Sequence, residues 1–163
     1  MLVVYCTGRA SAIPRGELPR CPTDATLPGM DELTERYVAL WNEPDGAARA
    51  EGVRALWAED GRQVLQAPAQ WREQAAALGF PAATLSVRGH RDLETRVTRA
   101  HEMFVAGGAH RFRARGTGVR VGDAVKLEWD MVDATDVVVG GGTDVLLLDA
   151  AERIVTDYQF IDP

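Results

Sequence analysis

Two side chains in this sequence stand where a proton could be moved. Asp144 follows the run Gly140-Gly141-Gly142-Thr143 and keeps β-strand phase with Leu146 and Leu148. An aspartate in phase with leucines faces inward, where burial raises its pKa and suits it to act as a base. His101 falls on a helical apolar stripe with Val97 and Phe104, where an inward imidazole can exchange protons near neutral pH. As base and acid, Asp144 and His101 would serve proton transfer beside a carbonyl or hydroxyl, with no cofactor. Each has a plainer explanation that weighs more. Asp144 can bond backbone N–H groups exposed by a bulge, and His101 can be a core histidine, since buried polar groups are usually satisfied.

Tyr37, Trp41, His110, Trp129 and Tyr158 are the candidates for ligand contact. The aromatic ones bury large area with or without a ligand, and their polar tips can orient a substrate oxygen. Trp57 and Trp129 also suit a core. His110 is in phase with Phe112 at the start of a strand, which places it at a pocket rim or, more simply, at an exposed sheet end. Glu128 and Asp130 have the opposite phase to Leu127, Trp129 and Met131, so they belong to an outer face, where a dimer contact could form.

The elements that must position these residues are legible along the chain. Segment 1–29 carries Pro14, Pro19, Pro22 and Pro28 with Gly16 and Gly29, and reads as a flexible arm or extension. The alternative is a tail swapped onto a partner. A helix begins near Asp31, capped by Asp31 or Thr34, and Asn42-Glu43-Pro44-Asp45-Gly46 stops it. A second helix is expected over 47–57, a turn at Glu59-Asp60-Gly61, a short strand over 62–66 and a helix over 69–78. A strand over 82–87 and a strong helix over 90–105 follow. The last third is β-branched or alternating, with strands over 110–117, 124–132, 137–148 and 153–160. Their joins are too short for parallel crossovers, so the neighbours are antiparallel. Helices first and a meander second predict an α+β fold, with helices on one face of a curved sheet.

That order also answers what the glycine run is for. A phosphate cradle needs glycines between a strand and a helix N-terminus. Gly140–Gly142 lie between strand and strand, where glycine marks a bulge or sharp bend.

The bulk numbers narrow the function. The chain has 163 residues with 46% hydrophobic and 26% charged content, ordinary for one soluble domain with a real core. A net charge of −6 argues against nucleic acid or an anionic membrane surface as partner. The basic run His110-Arg111-Phe112-Arg113-Ala114-Arg115 reads as a strand with one solvated face. Cys6 and Cys21 make no disulfide framework, and neither they nor His90, His101 and His110 have metal-ligand spacing. The segment Met1–Cys6 is too short and lacks the basic start of a signal peptide, and no apolar run reaches membrane-span length. A reduced, cytoplasmic setting is the default expectation.

Over 31–162 the chain resembles the nuclear transport factor 2-like superfamily and, within it, the SnoaL-like, polyketide cyclase-like group. The resemblance is carried by Tyr37-Val38-Ala39-Leu40-Trp41-Asn42 with Pro44-Asp45, then Leu56-Trp57-Ala58-Glu59-Asp60, Gly89, Lys126-Leu127-Glu128-Trp129, Gly142-Thr143-Asp144-Val145, and Glu152-Arg153-Ile154 leading to Tyr158-Gln159-Phe160. It implies a cone-shaped α+β barrel, with long helices packed on a strongly bent antiparallel sheet around an internal pocket. Members include cyclases, isomerases, hydrolases, dehydratases and proteins with no chemistry, and many are homodimers. Relatives that isomerise or cyclise ketones often place an aspartate before the proline that ends the first strand. Here that position is Ala67, which has no acid or base. The expectation is therefore a small pocket protein for an apolar carbonyl or hydroxyl compound, either a cofactor-free cyclase, isomerase or dehydratase, or a non-catalytic binding or dimerisation module.

Overall fold

The computed structural model describes residues 30–79 and 84–162. The expected N-terminal arm, 1–29, and the first two residues of the strand expected over 82–87 lie outside the described residues. Helix α1 (Met30–Asn42) is followed by α2 (Gly46–Leu56), β1 (Trp57–Gln66), α3 (Ala69–Ala77), β2 (Thr84–Arg88) and α4 (His90–Ala100). A π-helical turn, His101–Val105, prolongs α4. Then come β3 (His110–Ala114), β4 (Val119–Val121), β5 (Ala124–Asp133), β6 (Val138–Leu148) and β7 (Ile154–Ile161).

The strands form one open sheet in the order β2-β1-β7-β6-β5-β3, with β4 pairing β5. The late strands pair antiparallel throughout, as their short joins require. The exception is β1, which lies parallel to β7. The whole intervening chain serves as the crossover that a parallel pair needs. Register shifts in the β1–β7, β5–β6 and β6–β7 ladders bend the sheet. The fold is thus α+β, with α1, α2 and α4 packed against the bent sheet. Leu33, Tyr37 and Trp41 of α1, Val53 and Leu56 of α2, and Leu93 and Val97 of α4 meet Leu127, Leu146 and Ile154 of the sheet in one core.

Several local expectations need correction. Asp31 and Thr34 sit within α1 and do not cap it. Thr117 donates to the Asp31 carboxylate at 2.6 Å, and the Gly118 amide donates to Thr34 Oγ1 at 3.1 Å, so both tie α1 to the β3–β4 connection. The α2 cap is Asp45, whose side chain accepts from the Ala48 amide at 2.8 Å. Trp57 is the C-cap of α2, its amide donating to the Val53 carbonyl, and also opens β1. The expected turn at Glu59-Asp60-Gly61 is a bulge inside β1, where the register with β7 jumps between Trp57 and Arg62. A Cβ on Gly61 would lie 2.8 Å from the Ile154 carbonyl oxygen, so the turn-like composition marks a close strand approach.

The outer face carries the charge. Arg113 and Arg115 reach Asp130 at 3.1 and 2.8 Å, Arg115 reaches Asp162 at 2.8 Å, and Arg111 pairs with Asp136. The basic run is a solvated, ion-paired strand face. Among the described residues no helix is long and apolar enough to cross a membrane.

Candidate functional site

A cavity of about 260 Å³ lies between α1, α4 and the bent sheet. Its wall is mainly apolar and aromatic, with Trp41, Phe112, Trp129 and Met131 prominent. The rings are set edge-on: Phe112 and Trp129 have centroids 5.4 Å apart at 80°, and Trp41 and Phe112 6.4 Å apart at 65°. The polar part of the wall is short and consists of Tyr37, Arg96 and Gln159.

The glycine run makes room for this wall. None of Gly140–Gly142 has a left-handed backbone. The register shift lies just ahead of them, between the Met131–Gly140 and Val132–Val138 pairs, so the bulge is at Val139. A Cβ on Gly142 would meet Trp129 Cζ2 at 2.6 Å and the Phe160 carbonyl at 2.5 Å. The Trp129 indole therefore lies flat against β6, and its N–H points along the sheet to Asp144, to which it donates at 2.6 Å.

Behind the polar wall lies a closed network. Asp144 and Asp157 are both fully buried and are diagonal neighbours, because Asp144 pairs with Gln159 and Leu146 pairs with Asp157. Tyr37 Oη donates to Asp157 Oδ2 at 2.7 Å, and Gln63 Nε2 donates to the same oxygen at 2.9 Å. Asp144 Oδ1 and Asp157 Oδ1 have no hydrogen-bond partner. Two buried carboxyls side by side cannot both ionise, so one holds a proton. Burial, then the charge of Asp157, pushes the Asp144 carboxyl well above its ordinary value. Burial raises Asp157 to about 6, held there against a larger rise by donation from Tyr37, Gln63 and Asp144 and by the charge of Arg96. Asp144 keeps the proton and Asp157 is the group that titrates near neutrality. Burial, with the two carboxyl charges, holds the Tyr37 phenol in its protonated form.

Arg96 completes the site from α4. Its guanidinium lies 5.1 Å from the Trp41 ring centroid and donates to Gln159 Oε1 at 3.2 Å. Burial lowers its pKa, an effect opposed by the nearby Tyr37, Asp157 and Asp144.

The sequence candidates separate here. Tyr37, Trp41 and Trp129 line the cavity. Asp144 is buried one layer behind it and is not satisfied by bulge amides; its hydrogen bond is from Trp129 Nε1. His101 does not join it. The imidazole is buried, but the charges it feels are Arg49, Glu102 and Glu43, and burial with Arg49 lowers its pKa. It faces the α1–α2 side, because α4 packs on α2 as well as on the sheet and its stripe is wide enough for both. Its neighbours Ala100 and Phe104 reach the cavity instead. His110 is half-buried at the first residue of β3, opposite Asp133, and is off the cavity wall. Tyr158 lies on the opposite face, where its hydroxyl accepts from Arg62 Nη2 at 3.3 Å. Strand parity decides this, since Asp157 and Gln159 point inward and the residue between them cannot.

Asp157, Arg96, Gln159 and Gln63 are the site residues that the sequence reading missed. Asp157 and Gln159 shared a two-residue phase within an apolar strand, the same signal that singled out Asp144. Arg96 sits between Leu93, Val97 and Ala100 on the α4 stripe, a charge among apolar neighbours. Ala67, which lacks the acid that ketone-isomerising relatives often carry there, is buried and in phase with the inward Gln63 and Leu65. Among the described residues no group of three acidic, histidine or cysteine side chains could hold a metal.

No protein-family model matches the chain, and no curated protein matches its sequence. Solved structures do match it. One is a protein from Agrobacterium tumefaciens assigned as an isomerase of the SnoaL-like family, 26% identical, with a TM-score of 0.64, covering 81% of this chain and 96% of that one. Another is a SnoaL-like protein of unknown function from Burkholderia thailandensis, 12% identical, TM-score 0.58, covering 86% and 100%. A third, from Catenulispora acidiphila, has a ketosteroid isomerase-like fold and was solved with trimethylamine; it is 18% identical, TM-score 0.52, covering 79% and 84%.

Proposed function

With this chain a member of the nuclear transport factor 2-like superfamily, in its SnoaL-like group, we propose that it binds an apolar, oxygen-bearing small molecule and moves a proton on it without a cofactor. The observation that carries this is the apolar cavity whose polar wall, Tyr37, Gln159 and Arg96, backs onto a pair of buried aspartates. Perturbed carboxyls beside a concave site are the usual marks of acid–base chemistry. The isomerase assignment of the Agrobacterium neighbour agrees with this class of reaction.

In this reading a substrate oxygen takes N–H bonds from Arg96 or Gln159. A proton on the adjacent carbon passes to Tyr37 Oη as the phenolic proton passes to Asp157 Oδ2, leaving an enolate on the substrate oxygen. Reversal of the relay onto another carbon gives an isomer, and attack by the enolate on a second carbonyl gives a ring. Asp144 is the positioning residue, holding its proton against Asp157. His101 has no part.

A second reading is favoured by one observation: both aspartates lie behind the first layer, and Ala67 supplies no acid. The protein would then bind its ligand without chemistry. Deuterium exchange into the α-position of 2-tetralone, followed by NMR in D2O, separates the two. The catalytic reading expects exchange above buffer, reduced about 10²- to 10⁴-fold by Tyr37→Phe or Asp157→Asn. Binding of 2-tetralone with no catalysed exchange leaves the non-catalytic reading.

A further inference from the structure

We infer that the compound the cavity takes is an apolar organic acid, with its carboxylate seated on Arg96. This deepens the preceding proposal and rests on its premise that the cavity binds a small molecule.

The inference comes from counting donors and acceptors. A guanidinium offers five N–H donors in a planar fork. The protein gives Arg96 one hydrogen-bond acceptor, Gln159 Oε1 at 3.2 Å. Among the described residues no carboxylate lies within ion-pairing distance of it; the pairs of this chain involve other arginines and Lys126. Trp41, on which Arg96 rests, carries a buried indole N–H that also has no acceptor. The wall thus holds surplus donors and a surplus cation.

The nearby acids do not make up the difference. Asp157 Oδ2 is occupied by Tyr37 and Gln63, and Asp144 Oδ2 by Trp129. The titratable groups that face Arg96 are these two aspartates from β6 and β7 and Tyr37 from α1. Arg96 is half-buried against apolar walls, and a cation there without an ion pair gains from a bound anion. A ligand carboxylate, flat and two-oxygened, matches the guanidinium edge left open by stacking on Trp41. A neutral ketone or alcohol uses fewer of those donors and leaves the charge unmatched.

The test uses two probes of one shape, naphthalene-2-carboxylate and the neutral naphthalene-2-carboxamide, titrated calorimetrically into the full chain at pH 7.5. The carboxylate is expected to bind at least tenfold more tightly. Arg96→Met should abolish that preference while amide binding persists, and Arg96→Lys should keep part of it. Amide binding equal to or tighter than carboxylate binding by the wild-type chain overturns the assignment and leaves the pocket reading standing. Binding of neither probe sinks both. If Arg96→Met fails to fold, the wild-type comparison alone decides.

Discussion

Asp144 and Asp157 do different work although both are buried aspartates on adjacent strands. Asp144 is buried and faces the charge of Asp157, which outweighs donation from Trp129 Nε1 and Gln159, so it stays protonated. Asp157 collects Tyr37, Gln63 and the Asp144 proton, with Arg96 nearby, so it can ionise near pH 6. This is environment pushing two like groups apart, the pattern expected of an acid–base couple. It also has a sign for stability. Asp157 has a folded pKa of about 6 against an ordinary 3.8, so its contribution is complete below pH 4 and is lost as pH rises through 6. The size is on the order of 3 kcal/mol. Surface carboxylates work the other way: bonds from Arg88 and Arg120 hold Asp60 and Glu152 below their ordinary values, and that contribution is lost as pH falls. The difference between wild type and Asp157→Asn isolates the buried group. Urea midpoints should show wild type losing ground to the variant between pH 4 and 7. Parallel curves would mean that Asp157 titrates normally and that the relay has no base.

At the scale of elements, β6 is the piece that converts composition into a site. Its bulge at Val139 and its bare Gly142 let the Trp129 ring lie on the strand, and that ring both walls the cavity and bonds Asp144. Gly142→Ala would place a methyl 2.6 Å from the indole and 2.5 Å from the Phe160 carbonyl. Backbone cannot yield as a flexible side chain can, so a loss of about 2–4 kcal/mol is expected, read from denaturant unfolding. The same substitution should perturb the near-ultraviolet signal of Trp129. Gly108→Ala gives the contrast: nothing lies within 4 Å of its Cβ, so only the cost of its φ of 70° applies, a smaller loss. If the two variants unfold alike, the close-approach account of the glycine run is wrong. Helix α4 shows the opposite lesson. One buried stripe serves two neighbours, sending Arg96 and Phe104 to the cavity and His101 toward α2.

For the molecule as a whole, the open sheet leaves one face to solvent. Ion pairs cover the β3–β5 part of it, but Phe160 is exposed there and Val137, Val138 and Val139 are exposed where β6 begins; Ile161, of opposite parity, lines the cavity. Phe160 pairs with Thr143 across the β6–β7 ladder. Exposed apolar side chains of this kind are suited to being covered by a partner. The homodimer expected from the family resemblance would use it. Light scattering after gel filtration should report a dimer for wild type and a monomer for Phe160→Asp, with the melting temperature of the monomer only slightly changed. A monomeric wild type at tens of micromolar would remove the dimer from the account.

The chain by itself determined the order of helices before strands and the antiparallel meander, because hydrophobic period and short joins are local properties. It also determined that Asp144 is buried and that Tyr37, Trp41 and Trp129 face inward, since each lies on a long, regular apolar phase. Only the tertiary structure decided which buried polar groups meet. Asp157 and Asp144 become neighbours through β6–β7 register, and Gln63 joins them through the parallel β1–β7 pair, which closes a loop of nearly a hundred residues. His101 left the site and Arg96 entered it because one helix has two packing partners, and periodicity marks a residue as buried without saying against what.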